Sequence, residues 1–284
     1  MAYKTIVVQF EREPDLHGPL LKTAAALAHA HGAHLIGISV LPSYYKVPPD
    51  AAGAMVPMDE VHEKCRAAGL RMKAVFEADL QHRAITCEWR TIDPGFRDMA
   101  QAVADIANAA DLVIAGQQIH GDFDSGYRDG QGQLPVLTGR PVLLLPLDHS
   151  APTPPGRIIV AWDGSQSSTR ALFDALPLMK PPAHVTLLSM RAAETFDGPA
   201  FLAQNDHGND VAAMLSRHGI SCTVAVEIAS GNDIGPTILS YATARQADLL
   251  VIGAYGHSRL TEWFFGGVTR TLLRQSAIPL LLSH

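Results

Sequence analysis

Apolar residues in this chain gather in short runs, and between the runs their spacing widens to the three-to-four-residue period of a helix. In the C-terminal half the runs predict strands over 157–162, 184–190, 221–227, 248–252 and 278–283, with helices over 167–178, 203–218, 233–246 and 267–276. The N-terminal half gives the same order, with strands over 4–10, 33–40, 85–90, 111–115 and 141–145 and helices over 17–31, 58–82 and 95–109. Short apolar strands alternating with helices are buried on both faces, which implies a parallel sheet between two helical layers. The pattern therefore predicts an α/β chain of two tandem doubly wound parallel-sheet domains, Rossmann-like. Such sheets have right-handed connections and receive ligands at the carboxyl ends of their strands.

The second half repeats the first. Thr5-Ile6-Val7-Val8 returns as Arg157-Ile158-Ile159-Val160, and Ile85-Thr86-Cys87 as Ile220-Ser221-Cys222. Ala110-Asp111-Leu112-Val113-Ile114-Ala115-Gly116 returns as Ala247-Asp248-Leu249-Leu250-Val251-Ile252-Gly253, and Pro141-Val142-Leu143 as Pro279-Leu280-Leu281. The shift is 152 residues between Ile6 and Ile158 but 137 between Gly116 and Gly253. The first half thus carries an early insertion, assigned to the stretch from Pro42 to Pro57. Pro152, Pro154 and Pro155 describe a stiff linker between Asp148 and Gly156, so the predicted domains are 1–148 and 156–284.

A chain of 284 residues with 47% apolar and 18% charged positions can bury two cores and is not a disordered composition. A net charge of −6 and the lack of a basic cluster argue against a nucleic-acid or anionic-membrane partner. Three dispersed cysteines, Cys65, Cys87 and Cys222, fit free thiols in a reducing cytoplasm. The strand-like Thr5-Ile6-Val7-Val8 follows Met1 closely, so no signal peptide is expected, and no apolar run is long enough to span a bilayer.

The chemistry concentrates near the C-terminus. Gly253 and Gly256 follow a predicted strand, and Gly266-Gly267-Val268-Thr269 opens a predicted helix. Glycines at a strand end and a helix start let backbone N–H groups approach an anion, with the helix dipole favouring negative charge. This is the pattern of a phosphate cradle, and hence of a nucleotide site. The spacing alone is weak; the strand before it and the helix after it give it weight.

Gly253-x2-Gly256-x9-Gly266 followed by Val268-Thr269, together with Val160-Ala161-Trp162-Asp163-Gly164-Ser165, resembles the universal stress protein family, whose fold is adenine nucleotide alpha hydrolase-like. The resemblance covers the whole chain as two tandem domains and is strongest in the second. It implies an ATP-binding stress-response or regulatory protein that takes ATP, with magnesium, at the strand carboxyl ends. By position, Asp163 would contact the ribose or adenine and Ala161 and Met190 would line the base. Gly253, Gly256, His257, Gly266, Gly267, Val268 and Thr269 would surround the phosphates. The family also implies pairing through last strands, here 141–145 and 279–283, and a dimer of tandem chains. Gly267 departs from the serine or threonine usual in ATP-binding members; it keeps the N–H but lacks the hydroxyl, a difference of about 1–2 kcal/mol.

The first half departs further. Gln9 is aligned with Asp163, Gly116-Gln117-Gln118-Ile119 lacks the second glycine, and Arg128 and Asp129 fall where Gly266 and Gly267 would be. A carboxylate at a phosphate position repels the ligand. One nucleotide site per chain, in the second half, is therefore expected.

Plainer readings stand beside these. Asp163 could cap the helix that follows it. Trp162 is expected to pack under the base or against the neighbouring domain, and His257 is either a phosphate neighbour or an exposed loop residue. His29, His31 and His34 lack metal-ligand spacing and are expected at a helix end or surface. Cys87 and Cys222 occupy equivalent positions and are expected to fill core rather than do redox chemistry. Trp263-Phe264-Phe265 is either an interaction patch or buried, and Asp122 and Asp124 do not complete a calcium loop. Three functions compete: the nucleotide-dependent regulator, a nucleotide-free dimerisation or scaffold module, and a slow ATPase. The chain has no GxxxxGK[ST], and no GxGxxG follows the first strand of either half, which sets aside a P-loop enzyme and a dinucleotide dehydrogenase.

Overall fold

The computed structural model describes residues 2–10, 18–43, 58–117, 129–146, 148, 153–192, 199–229, 233–254 and 267–284. The chain divides into two compact units, Ala2–Ser150 and Ala151–His284.

In the first unit the order is β1 (Thr5–Phe10), α1 (Gly18–His31), β2 (His34–Val40), α2 (Met58–His82), β3 (Cys87–Ile92), α3 (Met99–Ala107), β4 (Leu112–Gln117), α4 (Asp129–Thr138) and β5 (Val142–Pro146). The second unit runs β6 (Arg157–Ala161), α5 (Gln166–Ala175), a 3-10 turn (Leu176–Leu178), β7 (His184–Ala192), α6 (Pro199–Arg217), β8 (Ser221–Ala229), α7 (Ile234–Ala244), β9 (Leu249–Gly253), α8 (Gly267–Gln275) and β10 (Leu280–Ser283). The strand orders are β3-β2-β1-β4-β5 and β8-β7-β6-β9-β10. The neighbours within each unit pair in parallel. In both units the chain runs outward from the first strand in one direction, then returns to build the sheet in the other. Right-handed crossovers then place α1 and α2 on one face and α3 and α4 on the other, with α5 and α6 opposite α7 and α8 in the second unit. Each unit is thus a doubly wound α/β sheet.

The central strands are buried along nearly their whole length, β4 throughout and β1 except at Thr5. Burial on both faces is why these strands read as continuous apolar runs. One device enters both sheets. Asp111 Oδ2 accepts from the backbone N–H of Lys4 at 2.6 Å and Thr5 at 2.9 Å. Asp248 Oδ2 accepts from Gly156 at 3.0 Å and Arg157 at 2.8 Å. Each carboxylate satisfies N–H groups that precede the first ladder bonds, and so fixes the entry of β1 and β6 beside β4 and β9.

The pattern missed one helix and misjudged several ends. α4 carries Gly130, Gly132 and Pro135, weak helix formers that hide it. The helix predicted over 95–109 begins only at Met99, because Gly95 takes φ +59° and Asp98 caps the first turn by accepting from Ala100 N. Pro177 lies in the 3-10 turn that follows α5, so the helix predicted to 178 ends at Ala175.

Candidate functional site

The site is built where the strand order of the second unit reverses, between β6 and β9. Adjacent crossovers leave that point on opposite faces and open a crevice at the carboxyl ends. Ala161 lies level with Leu188 on one side and Ile252 on the other. Side chains alternate along a strand, so Met190, two residues beyond Leu188, shares the face of Ala161. Both are half-buried, and this is the face that α7 and α8 cover.

Asp163 follows in the loop beyond β6. Its Oδ1 accepts from Ser165 N at 2.9 Å, closing a turn in which Gly164 takes φ +79°, a conformation that favours glycine. Ser165, not Asp163, caps α5: its Oγ accepts from Ser168 N at 3.2 Å and lies 3.2 Å from Ser167 Oγ. The exposed Asp163 carboxylate orders the turn that presents it. The sequence signal for the cap was present in Ser165-x-x-Ser168, and Asp163 drew attention from it. Trp162 is buried between; its backbone N–H donates to Leu188 O at 2.9 Å, and its ring lies beside Gly164.

Gly253 serves a different purpose from the one its spacing implied. A Cβ there would lie 2.5 Å from Ser168 N and 2.6 Å from the Ser167 carbonyl carbon, on the side of α5. That is the face opposite Ala161 and Met190. The missing side chain lets the first turn of α5 dock against β9. Gly267, by contrast, has open space where a Cβ would project. It opens α8, where the first N–H groups lack intrahelical partners. Val268 is half-buried, and Thr269 is buried on the inner stripe of α8 with Leu272. Gly256, His257 and Gly266 lie outside the described residues, as do Trp263-Phe264-Phe265, Asp122 and Asp124.

The first unit shows what the same position becomes with other residues, and its register corrects one alignment. Ile6 lies level with Leu112, as Ile158 does with Leu249, so Gln9 is the counterpart of Ala161 and not of Asp163. The sequence counterpart of Asp163 is Glu11, outside the described residues. Gln117 stands where the second unit has Ala254. Gln9 lies level with Ala115, so Gln117, two residues on, shares its face. Both glutamines are buried, at 6% and 1% exposure, and among the described residues the Gln9 Oε1 has no hydrogen-bond partner. Two amide side chains therefore stand where the second unit has the half-buried Ala161 and the buried Ala254. Asp129 opens α4 as Gly267 opens α8, in line with the sequence alignment.

The histidines and thiols do not assemble a second centre. His29 is exposed, His34 opens β2, and His31 closes α1, at a helix end as expected, with its buried ring 5.0 Å from that of Tyr3. Among the described residues no group of three or more metal-ligating side chains could hold an ion. Cys87 pairs with Leu35 and Cys222 with Val185, equivalent register positions on the outer strands, where both are half-buried rather than core. Burial raises both thiols above the ordinary value, aided at Cys87 by Glu77 and opposed at Cys222 by a backbone hydrogen bond from Leu187. No helix among the described residues is long and apolar enough to cross a membrane.

Comparison with known proteins follows these divisions. The model of the universal stress protein family matches residues 155–284. A universal stress protein from Synechocystis is 26% identical over 188 residues, 64% of this chain and 61% of that relative. The match thus spans about three fifths of the relative's length. A universal stress protein structure from Archaeoglobus fulgidus superposes with a TM-score of 0.74 at 15% identity, covering 98% of this chain and 95% of its own. A universal stress protein candidate from Pseudomonas aeruginosa gives 0.62 at 16% identity, covering 99% and 93%. At such identities the structural likenesses speak for the fold, while the family model speaks for the sequence of the second unit. Residues 155–284 thus match the universal stress protein family, and the chain as a whole shares the fold of these solved structures.

Proposed function

We propose that the chain is a stress-response regulator that holds one adenine nucleotide, ATP with magnesium, in its second unit. The observation that carries this reading is the contrast between the two switch points. In the second unit, small or flexible residues leave the crevice open at Ala161 and at Gly267. In the first, Gln9 and Gln117 fill the equivalent place. Ala161 and Met190 would flank the base, Asp163 would reach the sugar or base, and Gly253, Gly256, His257, Gly266, Gly267, Val268 and Thr269 would form or support the phosphate end. Gly253 acts there indirectly, by seating α5. When bound, the nucleotide would bring the negative charge that the N-terminus of α8 favours.

Nothing among the described residues offers a general base beside Gly267, so occupancy rather than turnover is the regulated quantity. A cytoplasmic chain that pairs into dimers completes the proposal. The competing reading, a nucleotide-free scaffold, draws on Gly267 and on the filled first unit.

Calorimetric titration with Mg-ATP separates the two. One site per chain is expected. Gly267→Asp, which places at α8 the residue that opens α4, is expected to abolish it without disturbing the fold, since the position has room. Gly267→Ser is expected to tighten binding by about 1–2 kcal/mol, roughly five- to thirtyfold. No heat at millimolar Mg-ATP would leave the scaffold reading in front, and two sites per chain would refute the division between the units.

A further inference from the structure

The two sheets end in outer strands of different character. β3, in the first unit, has six residues, and its Glu88 and Arg90 side chains pair with each other. Charges of this kind guard an edge against pairing with another chain. β8, in the second unit, is nine residues long and pairs with β7 in unbroken register from Ser221 to Ala229. It has no lysine, proline or glycine and a single charge, Glu227. Among the described residues its other side has no strand partner. All but Ala229 are half-buried or exposed, and Ile228 is 44% exposed.

We infer that β8 pairs with β8 of a second copy of this chain, antiparallel about a two-fold axis through Ala225. The strand is complementary to itself in that register. Val224 then faces Val226 of the other copy and Cys222 faces Ile228, all on the face that packs against α6 near Gly208. On the other face Thr223, whose Oγ1 lies 3.2 Å from His184 Nε2, stands opposite the second copy's Glu227, so the two glutamates stay apart. A register centred on Glu227 would oppose like charges, which destabilises a cross-strand pair. A closed two-fold contact uses the same patch on both copies and consumes both edges. This rests on the reading that chains pair, and it names the surface.

The test is sedimentation equilibrium of the full chain at low salt over a hundredfold concentration range, with three variants. Thr223→Glu, opposed to Glu227, is expected to raise the dimer dissociation constant about five- to thirtyfold through its two symmetric contacts. Thr223→Lys is expected to lower it by a similar factor, and 0.5 M salt to cancel both effects, an ionic strength at which the screening length is about 4 Å. Ala225→Lys, which places two lysines on the axis, is expected to leave monomers. Unchanged circular dichroism spectra would show each variant folded. A dimer indifferent to all three substitutions overturns this surface and leaves chain pairing standing. A monomer at every concentration overturns both.

Discussion

At Gly253 the absent side chain matters because α5 occupies its place. Gly253→Ala would drive a methyl group into backbone atoms of Ser167 and Ser168, which cannot yield as a side-chain tip can. Overpacking of this kind costs about 1–3 kcal/mol, and the expected outcome is a lower denaturation midpoint together with weaker nucleotide binding as the α5 turn shifts. Gln9 supplies the opposite case. Its buried Oε1 lacks a donor among the described residues, and a buried unsatisfied polar group costs about 1–3 kcal/mol. Gln9→Leu, similar in volume and without that acceptor, is expected to stabilise the first unit by about 1 kcal/mol, read as a rise of about 2–4 °C in its thermal midpoint. Gln9 follows Val8 directly, so the 152-residue shift of that strand already sets it opposite Ala161, and its alignment with Asp163 was inconsistent with that shift. The ladder register fixes the same pairing.

At the scale of elements, the strands were legible because burial on both faces leaves an unbroken apolar run, as in Leu112-Val113-Ile114-Ala115. α4 was not, because glycine and proline weaken its local signal and its place depends on the sheet and α3. The outer strands β3 and β8 carry the titratable thiols. Burial favours the protonated form of Cys87 and Cys222 in the fold, lifting each above the ordinary thiol range. Their contribution to stability is therefore fully present below the unfolded thiol value and falls as pH rises through the folded one. Iodoacetamide alkylation of the native protein at pH 8 is expected to run slower at both positions than for a free cysteine, with the gap closing on denaturation. Equal rates in native and denatured protein would contradict the burial argument.

For the molecule as a whole, two units share one topology while their switch points differ. The Asp111 and Asp248 carboxylates kept the same structural task in both. A residue that secures the sheet cannot change without cost, whereas the crevice at the carboxyl ends lies outside the sheet's hydrogen bonding. Ligand binding adds RT ln(1 + [L]/Kd) to the unit that binds, about 2.7 kcal/mol at one hundred times Kd. Mg-ATP at that level is expected to raise the thermal transition of the second unit and leave that of the first in place. Calorimetry reads both, and an equal shift of the two transitions would argue against a single site.

Sequence by itself determined the α/β class, the duplication and the glycine-marked end of the second half. Each of these is written in local period and in repetition, which need no knowledge of neighbours. Only the tertiary structure decided what Gly253 makes room for, which residue caps α5, and that Gln9 and Gln117 share one buried face. Those facts depend on which strands lie side by side and at what register, a relation set by packing between residues far apart in the chain.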